Sequence, residues 1–363
     1  MNRSNSAARV AGPVTAGHDA TEQRDAWRVV SVRLVGARRH LHARRFAPTL
    51  RHKRNSYRTL VCLTRALADV AAVGCPEVRR IHATPGQTVL LVPSAARGAV
   101  ARELGEASRD LERWGLRFEV RDDGPSFPLD SLPGLRTGWL RAQADVVPKA
   151  LARRVPKRAE AADRSIIELV EALGGQVGLA LRHHWARFAL PDTDSVAHAD
   201  RPVGPADCSA GSTTVWDRPV ADLLTDKSFG QVRIDVTGFR SALVSTARTT
   251  DELLARAQAA AEWFEQELPR LAAAQPSVDC STEGLIVLHS VCDDAILVGH
   301  VPRLLRTVER LGASYQQAAH PGRLVFGLGR STGCADLTDL AAAALADLTA
   351  APRAASSGDT IRY

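Results

Sequence analysis

Apolar residues along the chain recur with two periods, and the alternation between them predicts its elements. In GQVRIDVTGF, residues 230–239, Val232, Ile234 and Val236 alternate with other side chains, as in a strand with one buried face. TTDELLARAQAAAEWFEQELPRLAAA follows with Leu254, Ala257, Ala261, Phe264, Leu268 and Leu271 at helical spacing, and its TTDE opening supplies an N-terminal cap. GLIVLHS then predicts a strand, VCDD a tight turn and AILVG a second strand. PRLLRTVERLG predicts a helix with proline near its first turn and glycine at its end. GRLVFGLG closes the unit as a strand and DLTDLAAAALADLTAA as a terminal helix. The order β-α-β-β-α-β is the ferredoxin-like split motif.

The N-terminal half repeats this order more faintly. WRVVSVRLVG reads as a strand, SYRTLVCLTRALADVAAVG as a helix, and EVRRIHATPGQTVLLVP as a hairpin turning at TPGQ. AARGAVARELGEASRDLERWG and LRFEVRD complete it as helix and strand. The interval from Val32 to Pro85 matches that from Asp235 to Asp293 to within a loop length, the mark of an internal duplication. Two α+β domains of unrelated origin are the alternative. The expected fold class is α+β, with two ferredoxin-like domains at 27–123 and 228–350 joined by a partly helical middle region, 124–227. Residues 1–26 read as a disordered leader and 351–363 as a flexible tail. Within the middle region SIIELVEALGG has helical character, whereas ALPDTDSVAHADRPVGPADCSAGSTTVWDRP has the composition of a loop.

Composition narrows the setting. The 363 residues are 45% apolar and 24% charged, an ordinary globular balance, and no apolar run is long enough to span a membrane. The N-terminus lacks the apolar core of a secretory signal, so a cytoplasmic location is expected. Six scattered cysteines without a C-x-x-C pair support neither a disulfide framework nor a zinc ribbon. The net charge is +7, and the basic excess is densest in residues 33–58, RLVGARRHLHARRFAPTLRHKRNSYR. That stretch either meets phosphates of RNA or nucleotide or is a solvated loop; it has almost no aromatic residues for base stacking.

The adjacent carboxylates of HSVCDDAILVG, Asp293 and Asp294, gain meaning beside Asp235. In a split β-α-β-β-α-β sheet the first strand lies beside the hairpin, so a carboxylate on that strand approaches those at the hairpin turn. Asp235 stands in an otherwise apolar strand, where an aspartate is costly unless paired or well hydrogen-bonded. A hard divalent cation, Mg²⁺ or Mn²⁺, resolves both the burial and the mutual repulsion. Two such ions about 4 Å apart activate a 3′-hydroxyl and stabilise the α-phosphate and departing pyrophosphate in nucleotidyl transfer.

IDVTGF followed by SVCDDAILVG resembles the catalytic palm of the nucleotidyl-cyclase superfamily. That superfamily includes GGDEF cyclases, class III cyclases and the polymerase-cyclase large subunit of type III CRISPR effector complexes. The last is the best match, because its two palms carry metal carboxylates only in the second, and TPGQ here has no acid. The resemblance spans residues 27–122 and 228–350. It implies Asp235 and Asp293 as ligands bridging two metal ions and Asp294 as a further ligand or positioning carboxylate. It also implies the Val236 carbonyl in a metal shell, and Gly238 and Phe239 where the chain approaches a triphosphate. Ser290 would contact nucleotide near the turn. Independently of the resemblance, FGLGRSTG imitates a phosphate loop but lacks the P-loop lysine, so it either ends a strand or places Arg330 to hold a γ-phosphate. The implied activity is Mg²⁺-dependent conversion of ATP or another nucleoside triphosphate into a cyclic (oligo)nucleotide signal in antiviral defence. Three departures stand out: Val291 and Cys292 replace two glycines, Thr237 replaces a second strand acid, and Cys208 stands alone where relatives have a zinc site. They leave open an inactive palm serving as an RNA-binding scaffold subunit in a ribonucleoprotein complex. A class III-type cyclase with its site between protomers is a third reading. His18-Asp19 resembles an HD phosphohydrolase signature in a polar leader, and His183-His184-Trp185 is a partly buried surface or a metal or base-stacking site.

Overall fold

The structure is a computed structural model that describes residues 26–35, 49–122, 124–143, 168–187, 219–273, 285–332, 334 and 337–350. The His18-Asp19 pair, the leader, the long loop of the middle region with Cys208 and the tail lie outside the described residues. The first unit runs β1 (Ala26–Val35), α1 (Leu50–Gly74), β2 (Arg79–Thr84), β3 (Gln87–Pro93), α2 (Arg97–Glu112) and β4 (Arg117–Arg121). A two-residue strand, β5 (Phe127–Pro128), pairs with the start of β1, and α3 (Leu132–Gln143) and α4 (Gly175–Arg187) follow. The second unit runs β6 (Phe229–Thr237), α5 (Phe239–Thr246), α6 (Thr250–Glu262), β7 (Leu285–Val291), β8 (Asp294–His300), α7 (Val301–Gln317), β9 (Arg323–Arg330) and α8 (Leu337–Ala350). The sheets are ordered β2-β3-β1-β4 and β7-β8-β6-β9. This is an α+β fold of two ferredoxin-like units in tandem.

Several boundaries differ from those the sequence predicts. Helix α1 begins at Leu50 rather than Ser56, because the Thr49 side chain caps it by accepting from the His52 N–H at 3.3 Å. The later part of the basic stretch is therefore helical, with Lys53 and Arg54 buried. The β6 strand stops at Thr237, and Gly238, in a left-handed conformation at φ 71°, turns the chain into α5. Thr249 caps α6 by accepting from the Glu252 N–H at 3.1 Å, while Glu252 reaches back to the Arg248 N–H at 2.7 Å. A π-helical turn at Trp263–Glu267 then joins α6 to a last helical segment, Leu268–Ala273. The buried face is consequently Leu253, Ala257, Ala260, Trp263, Phe264, Leu268 and Ala272, with Leu254, Ala261 and Leu271 at its margins.

The two units share apolar cores. Ile286, Leu288, Ile296 and Val298 on one face of the second sheet join Leu60, Leu63 and Leu67 of α1 in one cluster, and α1 packs directly on β7. On the other face Val232, Ile234 and Leu297 meet Leu253, Phe264 and Leu304, and the cluster continues to Val29, Leu91 and Trp139 of the first unit. Every residue of β7 is buried, which explains why LIVLHSV reads as a continuous run rather than an alternating one. Ion pairs from Arg65 to Glu265 and from Arg79 to Asp251 also cross between the units.

The internal repeat holds in the register, displaced by one residue from the sequence alignment. Asp235 pairs with Asp294, the first residue of β8, and Arg33 pairs with Gln87, the first residue of β3. Arg33, Gly86 and Gln87 thus occupy the places that Asp235, Asp293 and Asp294 hold in the second unit. Both units also have an irregularity at their second strand, followed by a buried histidine, His82 in one and His289 in the other.

The glycines of FGLG serve packing. A Cβ at Gly327 would lie 2.1 Å from the Ala344 carbonyl oxygen, and one at Gly329 would lie 2.2 Å from that of Leu340, so α8 can rest on β9 only without them. Gly327→Ala should therefore destabilise the chain by about 2 kcal/mol or more in urea unfolding. Gly312→Ala in α7, where a Cβ meets nothing, should be neutral or stabilising by about 0.5 kcal/mol.

Candidate functional site

The register of the second sheet brings the acids of the sequence motifs to one end. Asp235, near the end of β6, stands opposite Asp294 at the start of β8, and Cys292 and Asp293 form the two-residue turn between them and β7. The two adjacent aspartates accordingly part company. Asp293 lines a cleft of about 580 Å³ together with Asp235, and Asp294 does not. Val236, Thr237, Gly238 and Phe239 form the adjoining wall, followed by Ser241 and Val244 of α5. Asp235 is fixed by accepting the Val236 N–H at 2.8 Å. Arg136 and Trp139 of α3, in the middle region of the sequence, also line the cleft. Arg136 is the one cation among the described lining residues.

Asp294 lies beneath the cleft, beside Arg233 at 3.4 Å and His289 at 3.7 Å. Its Oδ1 makes no hydrogen bond among the described residues. Burial pushes its pKa up and the Arg233 guanidinium opposes that rise. His289 stacks on Tyr57 of α1, with ring centroids 5.2 Å apart. Of the two roles the resemblance offers Asp294, this placement fits the positioning carboxylate.

The turn is strapped to the first unit. Cys292 has φ 56°, the left-handed region that favours glycine. Its thiol is turned away from the cleft and donates to the Ala83 carbonyl at 2.9 Å, while the Ala83 N–H approaches the sulfur at 3.5 Å. The neighbouring His82 places Nε2 3.6 Å from Asp293 Oδ1. Val291 is fully buried. The side chains that replace the two glycines therefore do not enter the cleft. Thr237, in contrast, does line it.

Two residues expected near a nucleotide lie elsewhere. Ser290 is fully buried, and its hydroxyl donates to the Phe264 carbonyl at the π-helical turn, because its position in β7 points it into the core. Arg330 pairs with Gly230, whereas Asp235 pairs with Val325, so the arginine sits about 17 Å along the strand at the far end of the sheet. Arg136 was missed because nothing local marks it; only the packing of α3 beside β1 brings it to the acids. A separate group, Asp69, His183 and His184, offers one donor atom from each residue, all within 4.8 Å of one another. None of the three lines the cleft.

No protein-family model and no curated protein sequence matches the chain. Solved structures do. An apo Csm1–Csm4 cassette matches with a TM-score of 0.59 at 12% identity, over 94% of this chain and 55% of that one. The cassette in complex with cA4 gives 0.58 at 13% identity, over 94% and 54%. The cassette in complex with one ATP gives 0.54 at 10% identity, over 91% and 54%. The chain thus shares the fold of the matched part of Csm1, and it spans about half the length of those chains. No helix among the described residues is long and apolar enough to cross a membrane.

Two outcomes follow from the buried groups. Burial, with Arg233 and Arg65 nearby, lowers the His289 pKa to about 3, so the folded chain keeps it neutral. The unfolded chain takes up that proton near pH 6.5, so acidification toward pH 3 removes stability, by at most ~1.4 kcal/mol per pH unit from this group. Asp294 acts with the opposite sign, its raised pKa favouring the folded state at acid pH and losing that contribution as pH rises through it. His289→Gln should flatten the fall in urea-unfolding stability between about pH 6 and pH 4. The Cys292 thiol, pushed up to about 12 by burial, should resist iodoacetamide at neutral pH in the folded chain and react once unfolded, as read by peptide mass spectrometry.

Proposed function

We propose that the chain is a nucleotidyl transferase of the cyclase type, acting on ATP or another nucleoside triphosphate to form a cyclic nucleotide or oligonucleotide. The observation that carries this is the cleft itself. Two carboxylates, Asp235 and Asp293, line it together with the turn at Gly238, the start of α5 and Arg136. Carboxylate and backbone oxygens are the hard donors that Mg²⁺ or Mn²⁺ prefers, so the residues present fit such ions. Asp235, Asp293 and the Val236 carbonyl would hold them, and bound ions would acidify the attacking hydroxyl and neutralise the transferring phosphate.

The chain's own groups do the rest. Free backbone N–H groups at the start of a helix suit phosphate oxygens, as does the guanidinium of Arg136. The cleft volume is in the range of small-molecule sites. Asp294, braced by Arg233, sets the position of β8 opposite Asp235. The Cys292 strap and His82 hold Asp293 at the cleft mouth. The fold likeness supports the same reading, since Csm1–Csm4 cassettes have been solved in complex with ATP and with cA4. A role in antiviral defence, within a complex of several chains, belongs to this reading. The departures at Val291 and Cys292, the main argument for an inert scaffold, turn their side chains away from the cleft. RNA contact through residues 33–58 would draw on the exposed Arg51 and His52 rather than on the buried Lys53 and Arg54, and 36–48 lie outside the described residues.

Purified chain with nucleoside triphosphates and Mg²⁺ or Mn²⁺ should release pyrophosphate, and mass analysis should find a cyclic product. Asp235→Ala and Asp293→Ala should each abolish turnover, while Arg136→Ala should raise KM about tenfold, equivalent to ~1.4 kcal/mol. Absence of pyrophosphate release with every triphosphate, with and without added RNA, would leave the scaffold reading in its place.

A further inference from the structure

Asp69 lies in the later part of α1, and His183 and His184 lie near the end of α4, two helices that pack closely together. Successive helical residues normally diverge by about 100° around the axis. Here the two imidazoles nevertheless lie on the same side of one carboxylate, His184 in contact with it and His183 nearby: the rings lie 5.6 Å apart at 58°, and each of the three residues has a donor atom within 4.8 Å of the other two. Three ligands about 2.1 Å from one metal ion are separated by up to about 4 Å, so small side-chain adjustments complete the geometry. His184 Nε2 lies 2.7 Å from Asp69 Oδ2, so two of the donor atoms already meet in a hydrogen bond that a bound ion would replace.

We propose that Asp69, His183 and His184 form a second metal site, separate from the cleft and selective for a borderline divalent ion such as Zn²⁺, Co²⁺ or Ni²⁺. Two imidazoles and one carboxylate select these ions over Mg²⁺, which the oxygen donors of the cleft suit. The site joins α1 of the first unit to α4 of the region between the units, so a bound ion fastens that region to the shared core. The hydrophobic contacts there and Arg58, whose guanidinium lies 4.1 Å from the centre of the Trp185 ring, already set the two helices in register. Two guanidinium groups oppose binding, that of Arg80, which acts on the Asp69 carboxyl, and that of Arg187. Arg187 Nη1 lies 3.4 Å from His183 Nε2, and since a guanidinium does not deprotonate, it must swing aside when a cation arrives. Removing it should strengthen the site, a direction that a purely structural role for the histidines does not give.

The full chain, freed of metal and held in excess Mg²⁺, is titrated with Zn²⁺ by calorimetry and with Co²⁺ by visible absorption. One equivalent should bind, with the weak ligand-field bands of nitrogen and oxygen donors, and should raise the thermal midpoint. His183→Ala and His184→Gln should weaken binding at least tenfold, Arg187→Gln should tighten it, and Asp293→Ala should leave it unchanged. Circular dichroism of each variant without metal confirms that it is folded. Absence of saturable binding at submillimolar metal, binding indifferent to both histidine variants, or thiolate charge-transfer bands assigning the ion to cysteines would each overturn the proposal.

Discussion

The structure depends on the burial of α1 between two sheets. Its leucines serve as the core of the first unit and as the cover for one face of the second, so neither unit closes its hydrophobic surface alone. Each buried leucine contributes about 1.5–3 kcal/mol relative to exposure, and the shared cluster makes separation of the units correspondingly costly. That constraint fixes the acid-bearing hairpin. With β7 held against α1, its turn is carried to the edge of β2, where Cys292 meets Ala83 and His82 meets Asp293. The unit whose hairpin turn has no acid is therefore a structural part of the acid site.

The pairing register determines what neighbouring carboxylates do. A strand reverses its side chains at every residue, so one position of slippage would exchange the roles of Asp293 and Asp294. As paired, Asp294 lies under the cleft with Arg233 and a neutral His289, and Asp293 is presented to the cleft with Asp235. The mutual repulsion is relieved by placing one acid beside a cation and the other where an ion can reach it. The same register in the first unit puts Arg33, Gly86 and Gln87 at the corresponding places, which removes any reason for a cation to bind there.

Two kinds of donor set thus occupy different parts of the fold. The cleft has carboxylate oxygens at the end of a sheet, and the α1–α4 pair has imidazoles on a helical surface. Oxygen and imidazole donors favour different ions, so on the proposed reading one would fill without competing for the other.

The sequence by itself determined the element order in both units apart from α5, the capping of α6, the hairpin turns and the nearness of Asp235 to the acid hairpin. These rest on periods of two and 3.6 and on local turn chemistry, which are written in consecutive residues. It also grouped Val236, Gly238 and Phe239 with Asp235 and Asp293, whose cleft they line. Only the tertiary structure decided that Asp294 faces away from the cleft, that Ser290 points into the core and that Arg330 stands at the far end of β9. Likewise Arg136, His82 and Ala83 reach the acids from the other unit without any motif to announce them. The reason is physical: periodicity fixes which face of an element is apolar, whereas the partner that covers that face is chosen by packing among residues far apart in the chain.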